Sequence, residues 1–442
     1  MIKVITYGTY DLLHYGHIRL LKRAKALGDY LIVGVTADDF DKSRGKINVQ
    51  QSLSERIAAV RNTGLADEIL VEEYEGQKID DIQRLDVDIF TVGSDWEGYF
   101  DYLKEYCKVV YLKRTEGISS SEIRNEKRAI GLGIVGEERF VDKVAREATY
   151  VNGLKLSGLY ALDYTRIKDV LEKVTEFVSY DKLLAASDAI YIRSNPKLHY
   201  EQVKQALEAG KHVLCESPVT VNVEECQELF SLARKKNLTL VEGIKTAYST
   251  AYRRLILLAK TGKIGEIVSV DVTCTSIKEN VKDTDITWNS MTEWGPTALL
   301  PVFQILGTDY EKVEFVSRFL DKEKKFDIFT KGFFIYQNAV ASIKVGCGVK
   351  SEGELVISGT KGYIYVPAPW LKTDYFEIRY ENQSNNKRYF YQLDGEGIRF
   401  ELADFVKTVE TGKKSLYISE NVTKEISRCM EKFYEGSNCI FI

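Results

Sequence analysis

The chain has 442 residues, 44% hydrophobic and 29% charged, with a formal net charge of −4. That is the composition of a soluble globular protein too long for one ordinary domain, and about two or three domains are expected. Charges of both signs are interspersed, so there is no basic field for nucleic acid or a membrane surface. No apolar run approaches the ~20 residues that a membrane span needs, and the N-terminus opens on a strand pattern instead of a secretory signal. Seven scattered cysteines (Cys107, Cys215, Cys226, Cys274, Cys347, Cys429, Cys439) show no CxxC or histidine-rich spacing. They read as free thiols of a cytoplasmic protein, not as a disulfide framework or a metal site.

The chain opens with a strand at 3–7, the turn Gly8-Thr9-Tyr10-Asp11 and a helix at 18–27. Between turn and helix lies His14-Tyr15-Gly16-His17, which holds two of the only four histidines. A helix N-terminus presents unpaired N–H groups and a partial positive charge, so it attracts phosphate. Two imidazoles at its mouth add donors that can follow charge as it builds on a phosphate. The glycine between them lets a ligand approach the backbone. Capping or surface histidines are the plainer alternative; the spacing, the glycine and the strand-to-helix position together favour a phosphate site. Further along come a second strand at 28–33, a polar segment Lys42-Ser43-Arg44-Gly45-Lys46, a helix at 53–64, Gly93-Ser94-Asp95-Trp96-Glu97-Gly98, and Arg114-Thr115-Glu116-Gly117-Ile118-Ser119-Ser120-Ser121.

Residues 4–17, with the HxGH pattern, together with 93–98 and 114–121, resemble the glycerol-3-phosphate cytidylyltransferases of the HxGH nucleotidyltransferase superfamily, over about residues 1–127. The resemblance implies in-line attack of a polyol phosphate on the α-phosphate of CTP, with loss of pyrophosphate. Such a transfer needs positioning and positive charge more than covalent help. It implies catalytic roles for His14, His17, Lys46 and Arg114. Tyr7, Gly8, Thr9, Asp11, Arg56, Asp95, Trp96, Thr115, Ile118, Ser119 and Ser120 would bind substrate, and Mg²⁺ would accompany CTP, held mainly by phosphates and water. Gly64 stands where that family carries a basic residue, a place Arg61 could serve.

From residue 130 the pattern changes to strands and helices in alternation: a Gly131-x-Gly133-x-x-Gly136 turn, a helix at 138–147, a strand at 156–162 ending in Asp163, a strand at 189–192, a helix at 200–209 and a strand at 212–216. Alternation of this kind argues a parallel, doubly wound sheet. Ser194-Asn195-Pro196-Lys197-Leu198-His199 and 208–218, ending Cys215-Glu216-Ser217-Pro218, resemble the Gfo/Idh/MocA oxidoreductases over residues 128–442. Strands at 268–275, 332–336, 339–345, 355–358 and 376–380 suit that family's large, mostly antiparallel sheet for substrate binding and subunit pairing. The resemblance implies NAD(H) or NADP(H), held by Gly131, Gly133, Gly136, Asp163, Ser194, Asn195, His199, Glu216, Ser217 and Pro218. Asp163 slightly favours NAD, although Thr165 and Arg166 could accommodate a 2′-phosphate.

Three departures stand out. Ser217 replaces the family's lysine, and Pro301 and Ile305 occupy the places read for an aspartate and a histidine. A serine hydroxyl cannot replace an ammonium as a general acid near neutral pH. Lys245, after a strand at the sheet's carboxyl edge and with Tyr248 as partner, is either a substitute proton donor or a solvated surface lysine.

The expected α/β architecture is therefore a Rossmann-like nucleotidyltransferase domain (1–127), a dinucleotide-binding Rossmann domain (128–245) and a C-terminal α+β, mostly antiparallel sheet domain (246–442) for substrate and dimerisation. The expected function is bifunctional: CDP-glycerol or CDP-polyol formation, plus NAD(P)-dependent oxidoreduction of a small polyol or ketose. The alternative is a cytidylyltransferase with an inert second half serving as scaffold. Such products feed teichoic-acid-like or capsular polymers in bacteria, as the resemblance implies.

Overall fold

The computed structural model describes residues 1–37, 49, 51–73, 76–113, 129–136, 140–161, 174–278, 288–323, 325–373, 375–391, 397–436 and 438–442. The chain divides into two compact units, Met1–Ala129 and Ile130–Ile442.

In the first unit, β1 (Lys3–Gly8), β2 (Tyr30–Thr36), β3 (Glu68–Glu72), β4 (Ile89–Gly93) and β5 (Lys108–Leu112) form a parallel sheet in the order β3-β2-β1-β4-β5. Successive strand residues face opposite sides. Val4, Leu31 and Val33 therefore pack with Leu21 and Ala24 of α1 (Tyr15–Lys25) and Val60 of α2 (Leu53–Asn62). Ile5, Ile32 and Phe90 pack on the other face with Ile82 of α3 (Gln77–Arg84). Covered on both faces, the strands read as near-continuous apolar runs.

The second unit begins with another parallel sheet, β6 (Ile130–Gly136), β7 (Leu154–Tyr160), β8 (Ala189–Arg193), β9 (His212–Glu216) and β10 (Leu240–Gly243), in the order β10-β9-β8-β6-β7. Helices α4 (Phe140–Ala148), α5 (Tyr180–Ala186), α6 (Pro196–Glu208) and α7 (Val223–Lys235) connect its strands. After α8 (Thr250–Lys260) come β11 (Ile267–Thr275) and α9 (Ser290–Leu306). β11 stands in the middle of a nine-stranded sheet whose other members fall between Lys312 and Phe441. Its neighbours are antiparallel except where β11 pairs with β14 (Val340–Gly346) and β12 (Lys312–Asp321) with β19 (Cys439–Phe441). Helices α10 (Ile398–Thr411) and α11 (Glu420–Glu435) complete the unit. This is the expected sequence of folds: two Rossmann-like sheets, then a mostly antiparallel one.

In both parallel sheets the strand order reverses beside the unit's first strand, β1 or β6. Ligand crevices of open α/β sheets form at the carboxyl ends of strands at that reversal. All seven cysteines are free thiols, and no described helix is long and apolar enough to cross a membrane.

Candidate active sites

The first crevice is built on the turn between β1 and α1. Helix α1 starts at Tyr15, three residues before the expected start, because His14 caps it: its Nδ1 accepts from the backbone N–H of Gly16 at 3.1 Å. That bond leaves the ring proton on Nε2, a donor suited to a phosphate oxygen. His17, one turn on, stacks on His14 with ring centroids 4.0 Å apart, and both imidazoles are half-buried. The first turn carries no acidic residue and the last turn carries Lys22, Arg23 and Lys25, so the helix end that faces the crevice keeps its positive character.

The turn itself is strained. Tyr10 and Leu12 adopt left-handed backbone, φ +55° and +47°, a conformation that costs a residue with a β-carbon about 1–2 kcal/mol. Several hydrogen bonds hold it. Asp11 accepts from the Gln51 N–H at 3.0 Å, and Gln51 Oε1 accepts from the Leu12 N–H at 2.8 Å. Arg56 is fully buried; its guanidinium donates to the carbonyls of Thr9 (2.7 Å), Thr36 (2.9 Å) and Gln51 (3.2 Å). The expectation that Arg56 faces substrate is corrected here: a cation closed off from solvent and engaged with three carbonyls braces the turn instead. Tyr7 is also enclosed. Its hydroxyl donates to Asp81 at 2.9 Å, and its ring lies where a β-carbon on Gly34 would come within 2.2 Å. Burial and the Asp81 carboxylate push the Tyr7 phenol well above its ordinary range.

Across the β1/β4 reversal, the short 3-10 helix Ser94–Trp96 follows β4 and opens an aromatic group: Trp96, 37% exposed, stands edge-on to Tyr99 at 5.3 Å. Lys78, which no motif flagged, is buried at the N-terminal turn of α3, with its ammonium 4.7 Å over the Tyr7 ring and ion-paired to Glu72. Lys46, Arg114, Thr115, Ile118, Ser119 and Ser120 lie outside the described residues, as does the Asp95 side chain.

In the second crevice the structure corrects the reading of the glycines. Gly131 and Gly133 lie inside β6, in register with Lys155 and Gly158 of β7, and not in the turn. Added β-carbons there would meet Ser157 Oγ at 2.6 Å and Ser187 Oγ at 2.5 Å. They are glycines for close packing. β6 ends at Gly136 and α4 starts at Phe140, and the residues between them lie outside the described ones. Counted from Gly136, the later glycine places of a GxGxxG turn hold Glu138 and Val141. Val141 is fully buried, with its Cγ2 2.7 Å from the β-carbon place of Gly136. A strand ending at Gly136 and a helix described from Phe140, beside the reversal, still suit a pyrophosphate in position.

The residues expected to hold the dinucleotide stitch neighbouring loops together. Asn195 caps α6 by accepting from the Lys197 N–H at 3.1 Å, and the Ser194 hydroxyl bonds Gln202. His199, fully buried, sets one ring nitrogen 2.8 Å from the Pro218 carbonyl and the other 2.9 Å from that of Ser194. Burial pushes its imidazole down to about 4. A cofactor contact by the His199 ring is thereby corrected: both nitrogens are engaged with backbone. Ser217 gives its hydroxyl to the buried Glu242 carboxylate. Asp163 lies outside the described residues, with Thr165 and Arg166.

The carboxyl edge of this sheet carries a cluster of charges of which the sequence reading named only Glu216, missing Arg193, Glu293 and Lys278. The Arg193 guanidinium, at the end of β8, lies 4.1 Å over the Trp288 ring and 4.8 Å over Phe140. It faces Glu216 at 3.5 Å and Glu293 at 3.6 Å, and Glu293 also meets Lys278 at 3.1 Å. Tyr191 donates to Glu216. Burial raises the Glu216 carboxyl, opposed by Arg193. Glu293 sits in the first turn of α9, about two turns before Pro301. Pro301 is buried inside that helix, so the carboxylate α9 brings to the site comes from its N-terminal end. Lys245 opens a 3-10 turn after β10, half-buried, with its ammonium 5.2 Å from the Phe140 ring centroid. Tyr248 is not its partner: the Tyr248 ring packs at 4.9 Å on Tyr417 and its hydroxyl lies 3.5 Å from the Glu242 carbonyl.

Residues 5–126 match the family described as Cytidylyltransferase-like, and residues 130–244 that described as Oxidoreductase family, NAD-binding Rossmann fold. The chain is similar to glycerol-3-phosphate cytidylyltransferase of Bacillus spizizenii, 49% identical over 130 residues, which are 29% of this chain and 100% of that protein. The Staphylococcus aureus enzyme of the same name is 50% identical over 126 residues, 28% of this chain and 95% of that one. Among solved structures, a 3-ketoreductase from Actinomadura kijaniata in complex with NADP and TDP-benzene superposes with a TM-score of 0.64 at 20% identity, covering 71% of this chain and 99% of its own. That last likeness is one of fold.

Proposed function

We propose that the chain, which belongs to the glycerol-3-phosphate cytidylyltransferase family through its first unit and matches the oxidoreductase family's NAD-binding Rossmann fold over residues 130–244, is a bifunctional enzyme of CDP-polyol formation. The first unit transfers the cytidylyl group of CTP to glycerol 3-phosphate or a close polyol phosphate. The observation that carries this is the stacked His14–His17 pair, 4.0 Å apart at the mouth of α1. The phosphate oxygen of the acceptor attacks the α-phosphorus, and pyrophosphate leaves on the opposite side. Negative charge growing on the transferred and leaving oxygens meets the His14 and His17 donors and the N–H groups of α1. Lys46, Arg114, Thr115, Ile118, Ser119 and Ser120 are assigned to the phosphates by resemblance, and Asp95 and Trp96 to the pocket wall. Mg²⁺ would accompany CTP, held mainly by phosphates and water, and would neutralise charge on the phosphates.

The second unit takes a nicotinamide dinucleotide between the end of β6 at Gly136 and the start of α4 at Phe140, and reduces or oxidises a small polyol or ketose at the carboxyl edge of its sheet. When bound, that cofactor supplies or accepts the hydride. Arg193, Glu216 and Glu293 shape the polar wall, and Lys245 gives or takes the proton. The large sheet leaves one face for a second copy of the chain: along β13 (Phe326–Ile335), Phe334 is fully buried while Phe333 and Ile335 are 41% and 42% exposed, and Val340 of the next strand is 50% exposed. A homodimer through that face, a cytoplasmic setting and a role in cell-envelope polymer synthesis belong to the same reading.

Pyrophosphate release from CTP and Mg²⁺ with glycerol, erythritol and ribitol phosphates tests the first activity; no release with any acceptor would remove it. Quenching or enhancement of NADH and NADPH fluorescence tests the second, and absence of binding would leave that unit a scaffold.

A further inference from the structure

The carboxyl end of β8 carries an arginine where the second crevice opens. Gly136, the last residue of β6, is in register with Arg193, the last of β8, and a β-carbon on Gly136 would come within 2.7 Å of the Arg193 carbonyl oxygen. The strand order reverses between these two strands, and ligands of open α/β sheets enter over the carboxyl ends at such a reversal. The Arg193 side chain reaches across it. Its guanidinium carbon lies 4.8 Å over the ring of Phe140, which opens α4 on the β6 side, and 4.1 Å over the ring of Trp288, just before α9.

The neighbours hold the guanidinium there. Cation–ring contacts strengthen where water is excluded, and Arg193 and Trp288 are only 8% and 3% exposed. Glu216 and Glu293 stand 3.5 Å and 3.6 Å from its nitrogens, and Lys278 fixes Glu293 from 3.1 Å. Trp288 is set in turn by His199, edge-on at 5.8 Å. A flat, delocalised cation therefore rests on two aromatic rings at the reversal, where the flat nicotinamide ring of a dinucleotide would stack. The two cannot share that place.

We propose that Arg193 is a gate on the second crevice: stacked on Phe140 and Trp288 it fills the place of the nicotinamide ring, and the dinucleotide seats fully only when the side chain has swung off both rings. This rests on the reading of the second unit as a dinucleotide binder. No covalent bond changes. The closed arrangement lowers the apparent affinity by the fraction of molecules that stand open. An arginine that served the fold alone would lower stability on removal and would not hold affinity down.

Titration of NADPH into the full chain, followed by the cofactor's fluorescence, tests this. Arg193→Ala is expected to bind about tenfold more tightly than wild type, the factor for a chain that stands open about one time in ten. Arg193→Lys, which keeps a charge for Glu216 and Glu293 but no flat group, is expected to gain a smaller factor. In stopped flow the wild-type binding rate should level off as NADPH rises, because opening comes first, while that of Arg193→Ala should stay proportional to concentration. If the Ala variant loses its near-ultraviolet circular dichroism, the Lys variant decides. Equal or weaker binding by folded Arg193→Lys overturns the gate and leaves the cofactor reading standing. Binding by neither wild type nor variant removes the cofactor reading, and the gate falls with it.

Discussion

The ring of Tyr10 stands edge-on to the imidazole of His17, centroids 5.5 Å apart, and fills the space beside Gly8 where a β-carbon would come within 3.0 Å of it. Tyr10 is 1% exposed, so the His17 imidazole leans on a fixed neighbour. A donor held in place before charge develops does not spend energy reorganising during the reaction.

Replacing His17 with alanine should therefore reduce cytidylyl transfer by two to three orders of magnitude, about 3–4 kcal/mol of transition-state stabilisation. NADH binding by the second unit should stay intact. Steady-state pyrophosphate release and NADH titration on one preparation check both halves; turnover near the wild-type rate would contradict the assignment.

Arg56→Met should act on stability first. Three backbone carbonyls lose their buried donor at once, which costs about 2–4 kcal/mol, and the left-handed turn at Tyr10 and Leu12 loses its brace. Denaturant unfolding of the first unit should shift accordingly. A variant of unchanged stability with a raised KM for CTP would instead return Arg56 to the substrate.

Gly133→Ala separates packing from phosphate recognition. The new methyl would lie 2.5 Å from Ser187 Oγ and 2.9 Å from Leu183, and overpacking of that kind costs about 1–3 kcal/mol. Thermal unfolding should fall while the dinucleotide affinity of the folded fraction holds. Lost affinity at unchanged stability would place Gly133 back in the turn.

His199 predicts a pH slope. Burial depresses its folded pKa to about 4 from an ordinary 6.5, so the unfolded chain binds the extra proton across that window. Its contribution is present above pH 6.5 and is lost as pH falls towards 4, on the order of 3 kcal/mol in all. Asp327, pushed up to about 6 by burial, works in the opposite direction over the lower part of the window. The measurement is therefore the difference between wild type and His199→Gln in unfolding free energy from pH 7 to 4. A difference that does not change with pH would refute it.

The histidine turn was legible because rare residues at short spacing coincide with a strand end and a helix start. Its exact helix start was not, because His14 caps through imidazole a position that propensity assigns to Ser, Thr, Asp or Asn. Parallel strands announced themselves as apolar runs, yet the length of β6 is set by register with β7 and β8, so Gly131 and Gly133 looked like a turn. Arg56 depends on carbonyls from Thr9 and Thr36, remote in sequence, and no local pattern marks it as buried. Glu293 was missed because no residue of the resemblance falls on it: Pro301, the first place read in that helix, lies about two turns further along.

Each parallel sheet draws every strand from its own stretch of chain, and each opens its crevice beside the first strand of that stretch. Among the described residues, neither sheet takes a strand from the other half. A cut between Ala129 and Ile130 would thus sever no ladder among the described residues, and the two catalysts should survive as separate polypeptides. What such a cut would abolish is their fixed one-to-one stoichiometry.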